Sequence, residues 1–446
     1  MSIPRLPARF RLLPLLLAVG AGFATSVQSQ SLVDLYASAR SYDATYQSAK
    51  SQFDATLAKG EQAKALILPS VGFSTEVVRN SQQVQPASDQ YFGSQTAVIK
   101  ATQPLYRPAN WAGHEQGKKA IDTAKAQLLT AEQDLVIRVG QAYFDVLAST
   151  DNLTFVKSQK AAVAEQLASA KRNFEVGTST ITDSREAQAR YDLVIAQELA
   201  AENDLQVKSI ALDQLVGKQN AKPNPLATPV LLGELKPAEV DHWVRQSETN
   251  HPGIKQLEVA LDVAKLETQR ASAGHKPTLD LEGTYAAVAN NGTTSNPNAA
   301  DSRVNAGSIK LSLVIPLFAG FSTQNRIKET LALEDKARTD LDAIKRTVAQ
   351  GSRAAFYGLL SGQGQVKALE AAEASSQSAL DANKLGYQVG VRINIDVLNS
   401  QSQLFDTKAK LAKARYDVLV GGLKLRQASG VLKADDLKPI NALLVN

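Results

Sequence analysis

The sequence predicts a mixed α/β fold that is mainly helical, with long antiparallel coiled-coil hairpins and four β-strands, built twice on one plan. Three observations predict it. The same motifs return in the same order at a nearly constant interval. Apolar residues keep a 3-4 rhythm over stretches far longer than a globular helix. Two segments in each half alternate apolar and polar residues, the period of a strand with two unlike faces.

The duplication comes first, because it sets the frame. Phe174-Glu175-Val176-Gly177, followed by Thr182-Asp183, returns as Tyr387-Gln388-Val389-Gly390, followed by Ile395-Asp396. The interval is 213 residues (390 − 177), and Ala142-Tyr143-Phe144 returns as Ala355-Phe356-Tyr357 at the same interval. Gln103-Pro104-Leu105 returns as Ile315-Pro316-Leu317, and Pro69 matches Pro277. Four such pairs in one order indicate an internal repeat. The first repeat spans residues 30–222 and the second 238–446, with a Pro-rich linker at 223–237.

Each repeat opens with a helix, about Leu32–Leu68 and Glu239–Gly274. Pro69 and Pro277 end them, because proline cannot continue the hydrogen-bond ladder. The strands follow, at about 70–79 and 95–103, then 278–288 and 304–315. Val71, Phe73, Thr75 and Val77 share one face; so do Leu279, Leu281, Tyr285 and Ala287, and Ile309, Leu311, Leu313 and Ile315. Gln95–Gln103 alternates least cleanly. Polar segments Asn80–Ser94 and Ala289–Ser302 join the strands as loops.

The hairpins come last, at about 111–215 and 324–427. Leu128, Leu135, Val139, Tyr143, Val146, Leu153, Val156, Val163, Leu167, Ala170 and Phe174 form a sustained seam in an arm roughly 95 Å long. In the return arm, Tyr191, Val194, Leu205, Leu212 and Leu215 share their frame with Glu198 and Lys208. That suits a helix with one side facing water, as in a tube wall; a solid bundle with imperfect heptads is the alternative.

Composition agrees. Charged residues make up 21% of the 446, aromatics only 6%, and proline is sparse, which favours long helices over a large globular core. Residues 1–29 read as a secretory signal peptide: Arg5, Arg9 and Arg11 precede an apolar run from Leu12 to Ala24, with small residues at Ala24, Ser26 and Ser29. The run is too short for a spanning helix. Without those arginines the charge falls from +5 to about +2 (5 − 3). No basic face with interleaved aromatics points to nucleic acid. Cysteine is absent, which excludes disulfides, thiolate chemistry and a lipid anchor on cysteine. The four histidines show no metal-ligand spacing, and no catalytic set or cofactor motif stands out. The chain is therefore expected to be exported, with membrane embedding by strands alone. Four strands are too few for a barrel, so closure needs several copies.

The motifs Gln141-Ala142-Tyr143-Phe144-Asp145-Val146-Leu147, Asn173-Phe174-Glu175-Val176-Gly177, His275-Lys276-Pro277-Thr278-Leu279 and Gly386-Tyr387-Gln388-Val389-Gly390 resemble those of the TolC family of outer-membrane efflux and type I secretion channels, in its non-lipidated branch. The resemblance covers essentially the whole mature chain. It implies a homotrimer with a twelve-stranded outer-membrane barrel in lipid, a helical periplasmic tunnel, and an equatorial band that includes the C-terminal tail. It implies no cofactor. It implies opening by a periplasmic adaptor (membrane fusion) protein and an inner-membrane ABC, RND or MFS transporter. One departure is local: the Asn-Pro pair expected in the first helix is present in the second repeat as Asn250-His251-Pro252, with an insertion, while the first repeat has Tyr42-Asp43-Ala44. This is expected to be helix geometry.

By the same resemblance, the hairpin turns at Val176–Asp183 and Val389–Asp396 lie at the periplasmic tip. Tyr387 and Arg392 are expected to latch the inner hairpin to Gln166, Thr182 and Asp183 of the outer one. Asp396 is expected to form a constricting carboxylate ring, favouring cations. Asn399 stands where a second acidic ring is expected, and Lys384 where an acid is expected near the latch, so cation selectivity should be weaker. The strand pattern by itself leaves a second reading open: a soluble periplasmic coiled-coil scaffold or adhesin without a pore.

Overall fold

The structure, a computed structural model, describes residues 30–83, 90–227, 229, 230, 233, 235–292 and 299–445. The leader expected over 1–29 and the centres of both strand-joining loops lie outside the described residues.

The first repeat comprises α1 (Leu32–Tyr42), α2 (Ala44–Lys64), β1 (Ser70–Gln82), β2 (Gln90–Tyr106), α3 (Pro108–Glu175) and α4 (Ile181–Val216). The second comprises α5 (Val240–Asn250), α6 (Pro252–Ser272), β3 (Thr278–Asn291), β4 (Ser302–Val314), α7 (Ser322–Gln388) and α8 (Asn394–Ala428). A short α9 (Leu437–Asn441) closes the chain. The order repeats element for element.

The single opening helix expected in each repeat is two helices. Asp43 breaks the first: its carboxylate accepts the Tyr46 N–H at 2.8 Å as the cap of α2, and both its oxygens take Arg138 of α3 at 2.8 Å. In the second repeat Pro252 starts α6, and His251 Nδ1 accepts the Gly253 N–H at 3.1 Å. A capping side chain does in one repeat what proline and a capping histidine do in the other.

The four strands form one antiparallel sheet in the order β1-β2-β3-β4. Its registers pair odd-numbered residues with odd-numbered ones, as in Phe73–Ile99, Ile99–Tyr285 and Leu281–Leu311, up to a register shift at the base of β2, where Tyr106 pairs with Leu279. The apolar residues singled out in the strands therefore lie on one face, apart from Ile315, which falls just beyond the end of β4. Phe73, Ile309, Leu311 and Leu313 on it are exposed. The other face carries Lys100 and Glu282, paired at 3.0 Å, and Lys310. The strands run 13 to 17 residues, longer than expected. Alternation stops where the apolar belt stops, but backbone pairing continues beyond it, so part of each predicted loop is strand. β1 and β4 are open edges.

The sheet stands on the helices. Arg107, between β2 and α3, reaches Asp280 of β3 in a two-pronged contact at 2.7 and 2.5 Å. At 68 and 67 residues, α3 and α7 are each about 100 Å long. The seam holds as expected at Leu135, Val139, Tyr143, Val163, Leu167 and Ala170, with Val194 and Leu212 from α4, all buried. Glu198, one of the two charges in the frame of the return arm, is met by Lys160 at 2.6 Å. The largest cluster lies at mid-height, where Leu32, Leu35, Tyr143, Phe144, Tyr416, Leu423, Leu437 and Leu444 pack together. The linker is tied there too: Pro223 bridges to Gln30 and Leu226 to Leu444, and Tyr143 donates to the Asn224 carbonyl at 3.0 Å. Among the described residues no helix is long and apolar enough to cross a membrane.

Candidate functional site at the hairpin tips

Both hairpins turn by the same device. α3 and α7 each end in a glycine with positive φ, Gly177 at 79° and Gly390 at 77°. The Gly177 N–H then reaches the Phe174 carbonyl and the Thr178 N–H the Asn173 carbonyl; Gly390 and Val391 repeat this on Tyr387 and Gly386. This is the glycine-terminated helix end in which two otherwise orphan carbonyls are satisfied.

Beyond the glycine the copies diverge. In the first turn Thr180 caps α4: its hydroxyl accepts the Asp183 N–H at 3.2 Å, and the Asp183 carboxylate accepts the Thr180 N–H at 3.1 Å. The Thr180 and Ser179 hydroxyls donate to the same carboxylate at 2.9 and 2.8 Å. Burial pushes the Asp183 carboxyl up, but these hydrogen bonds together outweigh it and hold it below its ordinary value. The second turn has Arg392, Ile393 and Asp396 in the places of Ser179, Thr180 and Asp183. Isoleucine offers no oxygen for a cap. Asp396 is thereby released from capping, and its ion pair is with Arg392, at 3.6 Å.

The inner hairpin is joined to the outer one by other side chains. Asn394, the first residue of α8, is buried between them. Gln166 of α3 donates to its side-chain oxygen, and its own amide donates to the Asp183 carbonyl at 3.5 Å. Asn173 donates to the Tyr387 hydroxyl at 3.2 Å. Arg190 of α4 donates to Asn399 at 2.7 Å. Beneath this layer Leu398 is fully buried against Val163, Leu167, Ala170, Ala187 and Val194.

Of the expected latch residues, Gln166, Asp183 and Tyr387 lie at this junction. Within one chain they are linked through Asn394 and Asn173, not directly to one another. Thr182 is exposed. Arg392 stays within its own turn, largely exposed. Of the expected constriction residues, Asp396 is partly exposed. Asn399 is turned to the outer hairpin by Arg190. Sequence reasoning missed Asn394, Asn173, Arg190 and Leu398. One signal for Asn394 was present: it stands where the first repeat has the exposed Ile181, a polar residue in one copy only.

The model of the outer membrane efflux protein family matches residues 35–218 and again 243–431. The chain belongs to that family. The two matched segments coincide with the two copies of the element order. Among relatives, the outer membrane protein TolC of Vibrio cholerae is 32% identical over 437 residues, covering 97% of this chain and 98% of that one. TolC of Escherichia coli is 29% identical, covering 97% and 89%. The alkaline protease secretion protein AprF of Pseudomonas aeruginosa is 27% identical, covering 93% and 87%. Among solved structures, CusC superposes with a TM-score of 0.79 at 17% identity, covering 90% of this chain and 92% of that one. VceC of Vibrio cholerae gives 0.76 at 17% identity, covering 90% and 96%. Outer membrane efflux proteins are channels of transport systems that work with adaptor and inner-membrane transporter complexes, not enzymes. This chain is accordingly an outer-membrane channel of the efflux and type I secretion class.

Proposed function

We propose that three copies of this chain close one twelve-stranded barrel in the outer membrane and one helical tunnel below it. Proteins or small molecules leave through this duct when an adaptor and an ABC, RND or MFS transporter dock. The leader of residues 1–29 is cleaved on export. The observation that carries the reading is the sheet: a single layer with one exposed apolar face and two open edges, standing on helices about 100 Å long. A soluble scaffold would cover that face with a second layer, and the described residues supply none. An uncovered apolar face suits lipid, and open edges suit pairing with further strands.

The gate in this reading is the tip. Asn394 with Gln166, and Tyr387 with Asn173, hold the inner hairpin against the outer. Thr182 and Arg392, exposed on their separate hairpins, are left to meet neighbouring copies. Asp396, freed from capping, supplies the carboxylate ring, and Asn399, taken up by Arg190, adds no charge to it. Each link is weak, since a hydrogen bond contributes only about 1 kcal/mol net, so docking can undo the set. The test is single-channel conductance of detergent-purified protein in a planar bilayer, parent against Arg392→Ser. Small stable steps that grow in the variant support the duct and its gate. Steps that do not change move the gate away from Arg392. Folded protein that never conducts overturns the duct.

A further inference from the structure

The apolar face of the sheet has a definite end beside the helices. β2 shifts register between Pro104 and Tyr106, so that Tyr106 pairs with Leu279. Residues directly opposite share a face, and the shift therefore turns an even-numbered side chain onto the apolar face just before α3. From Leu279 to Ala289 this face of β3 advances ten residues (289 − 279). That is about 34 Å along the strand, or about 26 Å across a membrane for a strand tilted about 40°. The apolar band of an outer-membrane barrel is about 25 Å tall. With the band in hydrocarbon, Tyr106 stands at the headgroup level of the leaflet nearest the helices.

A cleft of about 460 Å³ opens at that level, between the first turns of α3 and the last turns of α6. Tyr106, Trp111 and Glu115 line one wall, and Leu266, Gln269 and Lys276 the other. Both aromatic side chains are exposed. The polar groups here are unevenly used. Glu115 is paired with Lys118 at 2.7 Å. The Thr268 and Ser272 hydroxyls donate to backbone carbonyls within α6. By contrast, the Tyr106 hydroxyl, the Trp111 indole N–H, the Gln269 amide and the Lys276 ammonium have no partner among the described residues. Four unused donors, one of them charged, favour an anion with several acceptor oxygens. α3 and α6 pack on each other and are flanked by α2 and α7 of the same chain. Closing a ring of copies therefore leaves the cleft open.

We propose that this cleft holds the phosphate of a membrane phospholipid, one per chain, with its acyl chains lying up the apolar face along Leu279 and Leu281. This rests on the reading of the sheet as part of an outer-membrane barrel and goes beyond it by assigning a ligand to a site. Lys276 supplies the charge that meets the phosphate, and Gln269 and the Trp111 indole supply hydrogen bonds to its oxygens. The rings of Tyr106 and Trp111 pack on the glycerol and the first methylenes, since an apolar ring with a polar tip suits this depth. Position selects a lipid over a free ion. The cleft is continuous with the apolar face through Tyr106 and Leu279. A phosphate that carries acyl chains buries them there, whereas a free ion buries nothing. The bound lipid then fixes the depth of the joint between sheet and helices.

The chain has two tryptophans, and the second, Trp243, is buried against Phe356 and Leu359. Full-length protein carrying Trp243→Phe therefore reports on the cleft through Trp111 fluorescence. In detergent, dihexanoyl-phosphatidylethanolamine below its micelle concentration should change that fluorescence saturably. Lys276→Gln should weaken binding about ten-fold, as loss of a charged hydrogen bond implies. Lys328→Ala, on α7 outside the cleft, should not weaken it. Dihexanoylglycerol, which lacks the phosphate, and inorganic phosphate, which lacks the chains, should give no saturable change. Native mass spectrometry of the parent protein, which needs no substitution, should show one retained phospholipid per chain and fewer in Lys276→Gln. An equal response to dihexanoylglycerol or to inorganic phosphate, or binding by Lys276→Gln as tight as the parent's, overturns the phospholipid site. Protein that conducts in a planar bilayer but binds no phospholipid overturns the site and leaves the duct. Folded protein that neither conducts nor binds phospholipid removes both.

Discussion

Asp396 occupies in the second hairpin the position that Asp183 occupies in the first, yet only Asp183 is bound into a helix cap. The cause is local: Ser179 and Thr180 are replaced by Arg392 and Ile393. One carboxylate is held in a cap, and its duplicate, outside any cap, pairs with Arg392.

Replacing Asp396 by alanine should therefore lower cation preference without unfolding the tip. The measurement is the reversal potential in a salt gradient, where a clear shift toward the non-selective value is expected. Near-ideal selectivity that survives the substitution would remove Asp396 from the constriction.

Thr180→Ala should loosen the start of α4, because losing such a cap costs about 1 kcal/mol. Amide exchange over residues 181–184 should accelerate roughly five-fold, as that energy implies, with exchange over 394–397 unchanged. Equal acceleration in both turns would contradict the divergence of the two caps.

Asn394→Ala and Gln166→Ala should each enlarge the single-channel step, because each removes one end of the same bond between hairpins. The double variant should add little to either single one, the behaviour of residues in direct contact. Fully additive effects would show that the two act separately.

Asp43 should make stability depend on acid. Its two contacts with Arg138, and then the Tyr46 N–H, hold its carboxyl below its ordinary value against burial. A carboxyl lowered on folding stabilises above its unfolded pKa of about 3.9 and loses that contribution as pH falls through its folded value. Thermal melts below about pH 4 should show the loss in the parent and a smaller one in Asp43→Asn. At neutral pH the variant should be less stable by about 2 kcal/mol, from the charged hydrogen bonds it gives up.

His251 should act at a milder pH. Burial holds its imidazole below the ordinary histidine value, and Nδ1 must stay unprotonated to accept the Gly253 N–H. Its contribution is complete above about pH 6.5 and is lost as pH falls through the lowered folded value. Asn can cap a helix without titrating, so His251→Asn should keep stability at pH 7 and flatten its decline below about pH 6.5. An unchanged slope would assign the decline elsewhere.

Much of this architecture was legible in the chain. Period-2 alternation at Val71–Val77 and Ile309–Ile315 and the 3-4 rhythm from Leu135 to Ala170 are one-dimensional records of which side of an element is dry. The repeat of Val176-Gly177 at Val389-Gly390 marked both hairpin turns, because the reversal needs a residue that tolerates positive φ. Other features needed the third dimension. The helix break at Asp43 depends on Arg138, 95 residues away. The strands outran their apolar belt because backbone pairing does not depend on side-chain polarity. The pairing of Gln166 with Asn394 spans 228 residues, and that of Arg190 with Asn399 spans 209. Local sequence fixes periodicity, caps and turns, since those depend on neighbours within one turn or one strand. Which polar side chain meets which across two hairpins depends on how the helices are rotated against each other, and that is set only when the whole core packs.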